Sequence, residues 1–226
     1  MQDLKNGETN EKIRAVIFDF GNVYNLGSGP VTIFMKQFKR TERADKRKLW
    51  NAEVKPVWRR LTKGEITTKE FWAHTAEAFS MAIDPAEMDR KMIYGQVYPG
   101  FRNGRLIGII NKLKENGKTI AMLTNNVKEW FDEWKKKDEN CKLFDPIIAS
   151  QDIGMRKPDE EIYLHTFKVL GLAPEECFFI DDQPENVAVG EKLGMLGFVF
   201  PPKNEILHAN WTLKQKLEEI GLLTDI

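Results

Sequence analysis

The run Ile13-Arg14-Ala15-Val16-Ile17-Phe18 is short, apolar and rich in β-branched residues, and it stops at Asp19-Phe20-Gly21-Asn22. A run of this kind bounded by turn residues is a buried strand. The pattern returns four times: Lys118 to Leu123 ends at Thr124-Asn125-Asn126, Pro146 to Ala149 at Ser150, Cys177 to Ile180 at Asp181-Asp182, and Met195 to Phe200 at Pro201-Pro202. Helical patterns lie between these runs: Phe101 to Glu115 closed by Asn116-Gly117, Val127 to Lys137, Pro158 to Leu170 closed by Gly171, and Pro184 to Leu193 closed by Gly194. Strand alternating with helix gives an α/β fold, a Rossmann-like parallel sheet with helices on both faces.

The stretch from Leu26 to Gly95 breaks the alternation. It has no convincing strand and is rich in helix formers, tryptophan and charge, so it reads as a helical insertion after the first strand. Gly27-Ser28-Gly29-Pro30 and Tyr98-Pro99-Gly100 flank it, as expected where a lid joins a core. The division expected is a core of residues 12–25 and 97–226 with a helical cap of residues 26–96. The pattern Trp211, Leu213, Leu217, Ile220 reads as an amphipathic helix over the core, and Leu222 and Leu223 cover either the core or a partner.

With 226 residues, 42% of them hydrophobic, the chain is long enough to bury a core, and its Gly and Pro counts of 16 and 10 exclude collagen-like and low-complexity chains. Lys plus Arg and Asp plus Glu are both 34, so the basic excess that marks nucleic-acid binders is absent and any bound anion must be held locally. No nucleic-acid partner is expected. Cys141 and Cys177 fit no zinc or redox spacing and read as buried thiols of a reduced compartment. The polar start from Met1 to Lys12 lacks the apolar stretch of a secretory signal, and no apolar run approaches a membrane span. A cytoplasmic protein without a membrane partner is expected, as a monomer or weak homodimer.

In open parallel sheets, ligands bind beyond the carboxyl ends of the strands. The polar residues there are Asp19 with Asn22, Thr124 with Asn125, and Asp181 with Asp182, joined by Lys157 just before a helix. Neighbouring carboxylates repel by roughly 4 kcal/mol per pair at 4 Å and an effective dielectric of 20. A hard divalent cation such as Mg²⁺, together with Lys157, brings the three carboxylates to neutrality, so an incoming phosphate meets no net repulsion. Asp19 can then attack phosphorus to form an aspartyl-phosphate, while Thr124 and Lys157 hold the phosphoryl group.

Taken in order, Ile17-Phe18-Asp19-Phe20-Gly21-Asn22-Val23, Met122-Leu123-Thr124-Asn125, Lys157-Pro158, and Phe179-Ile180-Asp181-Asp182 followed by Asn186 resemble the four motifs of the haloacid dehalogenase superfamily of phosphohydrolases. Ser150 to Pro158 and Lys63-Gly64-Glu65-Ile66 are further similar to the branch holding sugar-1-phosphate phosphatases and the N-terminal phosphatase domain of bifunctional epoxide hydrolase, whose helical cap follows the first strand. The resemblance implies that Asp19 is nucleophile and Mg²⁺ ligand, the Gly21 carbonyl a second ligand and Asp182 a third, with Asp181 binding directly or through another ligand. It also implies catalytic roles for Thr124 and Lys157 and substrate contacts from Asn22 and Asn125. The substrate expected is a small phosphorylated metabolite, with sugar phosphates and other good leaving groups as candidates.

Gly21 departs from the pattern, because most such phosphatases carry a second Asp there that protonates the leaving group. General acid catalysis, worth about 10²–10⁴-fold, must then come from elsewhere or be dispensable. Competing readings are a non-catalytic module of the same fold and a 2-haloacid dehalogenase, for which Asp181-Asp182 has no clear use. Bland readings also stand beside these residues. Asn126 with Glu129 fits a capping box, and Asp181-Asp182 before Pro184 fits a helix start. Trp50, Trp58 and Trp72 suit packing of the inserted helices, with one of them a candidate for the pocket wall. The basic run Lys36, Lys39, Arg40, Arg43, Lys46, Arg47, Lys48 reads as a solvated face, and His74, His165 and His208 match no ligand or nucleophile spacing.

Overall fold

A computed structural model describes residues 12–223, so all of the polar start except Lys12 lies outside the described residues. The strands are β1 (Ala15–Phe18), β2 (Thr119–Thr124), β3 (Ile147–Ala149), β4 (Cys177–Asp181) and β5 (Leu196–Val199). They form one parallel sheet in the order β3-β2-β1-β4-β5, with the first strand at its centre. The helices are α1 (Pro30–Met35), α2 (Arg43–Leu49), α3 (Lys55–Thr62), α4 (Thr68–Phe79), α5 (Pro85–Val97), α6 (Gly104–Glu115), α7 (Lys128–Lys137), α8 (Ser150–Ile153), α9 (Glu160–Leu170), α10 (Pro184–Lys192) and α11 (Ile206–Glu219).

Alternate strand residues feed two apolar layers. Val16, Phe18, Ile120, Met122, Phe178 and Ile180 pack with Leu106, Ile110 and Leu113 of α6 and Leu213 and Leu217 of α11. Ala15, Ile17, Ala121, Leu123, Cys177 and Phe179 face the other way, onto Ile162, Tyr163 and Phe167 of α9. Each large side chain buried this way contributes roughly 1.5–3 kcal/mol, which is why the runs are continuously apolar rather than alternating.

Several boundaries differ from the sequence reading. Pro99–Phe101 makes a 3₁₀ turn, and α6 starts only after Asn103, whose Oδ1 accepts from the Leu106 N–H at 3.3 Å. The last helix begins at Ile206, and its Trp211 faces solvent at 57% exposure instead of covering the core. Leu222 and Leu223 do cover it. Cys177 is buried, whereas Cys141 is only half-buried; both thiols are free.

Between β1 and α6 the described chain forms α1 to α5. These helices have a core of their own around Phe34, Trp50, Phe71, Trp72, Phe79 and Met92, and it takes in Val127 and Trp130 from the sheet side. The segments α2 and α3 are joined by a π turn over Trp50–Val54, in which the Lys55 N–H reaches back five residues to the Trp50 carbonyl. Pro56 has no N–H for the Ala52 carbonyl and its ring crowds that carbonyl, so the backbone widens just ahead of it.

The two strands of the hinge are stitched together. Asn25 bridges to Arg102, the Leu26 N–H donates to the Phe101 carbonyl at 2.6 Å, and Asn25 Nδ2 donates to the Gln96 carbonyl at 2.9 Å. A Cβ at Gly27 would lie 2.1 Å from the Gly95 carbonyl oxygen, so this crossing admits only glycine. The cap rests on the core through polar contacts that include the following. Asp89 of α5 accepts from Trp72 Nε1 at 2.9 Å, Thr68 Oγ1 at 2.8 Å and, across the interface, Trp130 Nε1 at 3.0 Å. Lys63 pairs with Asp159 at 2.9 Å, and Arg156 Nε donates to Thr62 Oγ1 at 3.2 Å. Among the described residues, no helix is long and apolar enough to cross a membrane.

Candidate active site

Strand register assembles the site. Phe18 lies opposite Ile180, so Asp19, one residue beyond β1, stands beside Asp181 at the end of β4, and the Asp19 N–H donates to the Ile180 carbonyl at 2.8 Å. Met122 lies opposite Phe18 on the other side, which carries Thr124 to the same edge. Lys157 comes in from the turn before α9 and is 1% exposed. Its three ammonium hydrogens have three acceptors: Asp19 Oδ1 at 2.7 Å, Asp181 Oδ2 at 2.6 Å and the Leu123 carbonyl at 2.6 Å. An ammonium has three donors and no acceptor, so this tripod satisfies it completely.

Asn125 holds Lys157 in place. Its Nδ2 donates to the Lys157 carbonyl at 2.8 Å and its Oδ1 accepts from the Lys157 N–H at 2.9 Å. Both ends of its amide are thereby engaged, so the residue expected to touch substrate serves first as a brace. Asn22, with φ of 57°, is in the left-handed region that Asn tolerates better than most residues, and donates to Asp182 Oδ2 at 2.9 Å. Gln183 Nε2 donates to the same oxygen at 2.7 Å.

The three acids differ in what is left free. Asp181 is fully buried and accepts from Lys157, from the Gln183 N–H at 2.8 Å and from Asn186 Nδ2 at 3.0 Å, so both its oxygens are occupied. Asp19 Oδ2 and Asp182 Oδ1 receive no hydrogen bond among the described residues. Asp19, Asp181 and Asp182 each place one oxygen within 4.8 Å of the others. Burial, then the charges of Asp181 and Asp182, push the Asp19 carboxyl up to about 7 against the pull of Lys157. Asp182 is also raised, by burial and by Asp181. Burial opposes the Lys157 charge, but Asp181 and Asp19 outweigh it and hold the ammonium above its ordinary range. Asp19, Asp181 and Asp182 form a cluster of hard oxygen donors that strains toward protonation, a donor set whose chemistry fits a divalent cation such as Mg²⁺.

At Gly21 a Cβ would meet nothing nearer than Asp19 Oδ2 at 3.8 Å, so the backbone does not demand glycine and the space beside that oxygen stays open. Asp19, Gly21, Asn22, Thr124, Asn125, Lys157 and Asp182 line a cavity of about 440 Å³, roofed by the cap. Trp50 and Trp58 line it while Trp72 does not, and Arg47 of the basic run reaches it together with Asn51 and Lys55. The sequence reading missed Asn51, Lys55, Gln96 and Trp130 as lining residues. The four-residue spacing of Arg47, Asn51 and Lys55 was the available signal, since it places them on one helix face. The capping box expected of Asn126 and Glu129 is not formed: Asn126 Oδ1 accepts from the Val127 N–H at 2.9 Å and from Gln96 Nε2 at 3.0 Å. Asp181 does brace the start of α10, through the Gln183 N–H, in addition to its place in the site. None of the three histidines lines the cavity.

A sequence model of the haloacid dehalogenase-like hydrolases matches residues 13–194. The chain belongs to that family. As a haloacid dehalogenase-like hydrolase it is 27% identical over 184 residues to the sesquiterpene phosphatase astK of Aspergillus oryzae, covering 81% of this chain and 88% of that one. It is 29% identical over 128 residues to bifunctional epoxide hydrolase 2 of Mus musculus, a match that spans 54% of this chain but only 20% of the longer protein. Among solved structures, a haloacid dehalogenase family enzyme of Bacteroides thetaiotaomicron in complex with magnesium and inorganic phosphate aligns with TM-score 0.64 at 22% identity, over 84% of this chain and 95% of that one. The likeness to that structure carries the fold of this haloacid dehalogenase-like hydrolase.

Proposed function

We propose that the chain is a Mg²⁺-dependent phosphatase of a small phosphorylated metabolite, working through an aspartyl-phosphate on Asp19. The observation that carries this reading is the Lys157 ammonium bridging Asp19 and Asp181 at the floor of an open cleft under the cap, with Asp182 within reach of both acids. The phosphatase name of the Aspergillus relative and the magnesium and phosphate in the Bacteroides enzyme support it.

The chain's own groups divide the work. Lys157 binds Asp19 through Oδ1, which leaves Oδ2 as the oxygen that attacks phosphorus. Attack forms the Oδ2–P bond, breaks the bond from phosphorus to the ester oxygen and releases that oxygen with its electron pair; water then cleaves the acyl phosphate to regenerate Asp19. In this reading the Thr124 hydroxyl donates to a phosphoryl oxygen, the Lys157 ammonium contributes its positive charge beside it, and Asp181, with both oxygens occupied, keeps Lys157 from swinging away. Bound Mg²⁺ would supply charge neutralisation on the transferring phosphoryl oxygens. With Gly21 giving no proton, the site suits esters whose leaving oxygen departs without one, such as anomeric, acyl and aryl phosphates.

Phosphate release from sugar 1-phosphates, acetyl phosphate, an aryl phosphate and an alkyl phosphate, with Mg²⁺ or chelator, tests the reading. Metal-dependent turnover that is lost in Asp19→Asn and that falls from aryl to alkyl esters is expected. Turnover undiminished in Asp19→Asn, or chloride released from 2-chloropropionate by a protein that hydrolyses none of the phosphates, would overturn it.

A further inference from the structure

The cavity carries a second charged feature that hydrolysis at Asp19 does not use. Arg47, Asn51 and Lys55 line it from the cap, while Asp19, Asp182 and Lys157 line it from the sheet edge. The three cap residues follow one another at intervals of four through α2, the π turn and α3, a spacing that sets side chains in a row along one face. The π turn lies inside this row, and such turns recur where a helix presents side chains to a ligand.

Arg47 and Lys55 are exposed and, like Arg43 and Lys46 beside them, have no ion pair among the described residues; what sets these two apart is that they line the cavity. Among the described residues, the acids lining the cavity are Asp19 and Asp182, both at the sheet edge, and Lys157 pairs with Asp19 there. Two cations and an amide donor are thus left over on a concave, partly apolar wall, where Trp58 and Trp130 stack at 5.9 Å and Trp50 and Met92 add carbon surface. A cleft of this kind concentrates the field of its charges on whatever occupies it. A guanidinium matches a carboxylate or phosphate through paired N–H donors, and an ammonium adds a compact charge beside it.

We propose that the substrate carries, besides the phosphoryl group cleaved at Asp19, a second anionic group of the carboxylate or phosphate type, received by Arg47, Asn51 and Lys55, with an apolar or flat body against the tryptophans. This inference rests on the phosphatase reading of the same site and narrows its substrate class. A monoanionic alcohol moiety satisfies the row; a neutral sugar or hydrocarbon leaves it idle.

The test uses the full chain with Mg²⁺ and pairs of esters that differ in one terminal charge: phenyl phosphate against 4-carboxyphenyl phosphate, and glucose 1-phosphate against glucose 1,6-bisphosphate. In at least one pair the doubly functional ester is expected to have a kcat/KM about tenfold or more above its partner, the gain of one charge-assisted hydrogen-bonded contact. Arg47→Ala and Lys55→Ala are each expected to collapse that ratio toward one. Equal affinity of wild-type protein for both members of both pairs would overturn the proposal, as would a preference that survives both substitutions. Proportionate losses on both members, the signature of general steering of phosphate, would also overturn it. Calorimetric binding of the same pairs to Mg²⁺-loaded Asp19→Asn reads the preference without turnover. A preference there that depends on Arg47 and Lys55, in a chain that hydrolyses nothing, would sink the phosphatase reading and leave the anion site standing.

Discussion

Lys157 illustrates how much one residue can carry. Its ammonium is buried with two carboxylates and a carbonyl, and removing one member of such a set strands the others without compensation, at a cost of about 3–5 kcal/mol. Lys157→Met is therefore expected to abolish turnover and to lower the melting temperature in chelator, with Mg²⁺ restoring part of the loss by neutralising Asp19 and Asp181. A melting temperature equal to wild type in chelator would refute the tripod. Asp19 adds a pH dependence whose sign is fixed by its raised carboxyl, up to about 7 from 3.8. Between those values the folded chain holds a proton that the unfolded chain has released, so the metal-free protein loses stability as pH rises through the window and levels off above it. Urea midpoints in chelator are expected to be higher at about pH 5 than at about pH 8, and Asp19→Asn to shrink the difference. Gly21 has room for a side chain beside Asp19 Oδ2, so Gly21→Asp is expected to fold and to speed alkyl phosphates relative to aryl phosphates by about tenfold or more, as an added general acid would. An unchanged alkyl-to-aryl ratio would show that proton supply is not what the glycine withholds. At this scale Asp19, Thr124, Asp181 and Asp182 were legible because each sits where an apolar run ends. Lys157 was picked out by its place just before a helix, but its burial was not legible, since that depends on chain brought in from far along the sequence.

Among elements, the strands were readable from sequence because β1, β2 and β4 are buried on both faces and their apolar runs end abruptly. The cap was readable only as helical. Its α2 and α3 are separated by a π turn that no periodicity announces, although Pro56 marks where the ordinary ladder must fail. The docking of cap on core was likewise hidden, because it depends on pairs such as Trp130 with Asp89, brought together by tertiary packing. Asp89 gathers two indole N–H groups and a hydroxyl, and Trp130 is both a clamp partner and a wall of the cavity. Asp89→Ala is expected to destabilise the protein by about 1–3 kcal/mol, the cost of leaving buried donors unpaired. It should also raise KM more than it lowers kcat, because Trp130 loses its anchor while Asp19 and Lys157 keep theirs. Asp89→Asn retains a carbonyl for the indoles and is expected to recover most of both effects. If the alanine variant matches wild type in urea midpoint and KM, Asp89 does not hold the cap.

Across the whole molecule, the sheet supplies a rigid edge of acids, and the helices inserted after β1 cover it with tryptophans, amides and the cations Arg47 and Lys55. The division of labour follows from topology: β1 lies at the sheet centre, so whatever is inserted just beyond it is suspended over the edge where Asp19, Thr124 and Asp181 emerge. The parallel core and its reactive edge could therefore be anticipated from sequence. The contents of the cavity could not, because which cap residues face inward is decided by packing and by the widened turn ahead of Pro56. The central claim is that Asp19 becomes covalently phosphorylated during turnover. The most direct measurement is rapid acid quenching of the protein while it hydrolyses an aryl phosphate with Mg²⁺, followed by peptide mass spectrometry. One phosphoryl group on the peptide carrying Asp19, absent with chelator and in Asp19→Asn, is the expected result. Continued phosphate release with no phosphoryl group on that peptide under the same quench would contradict it.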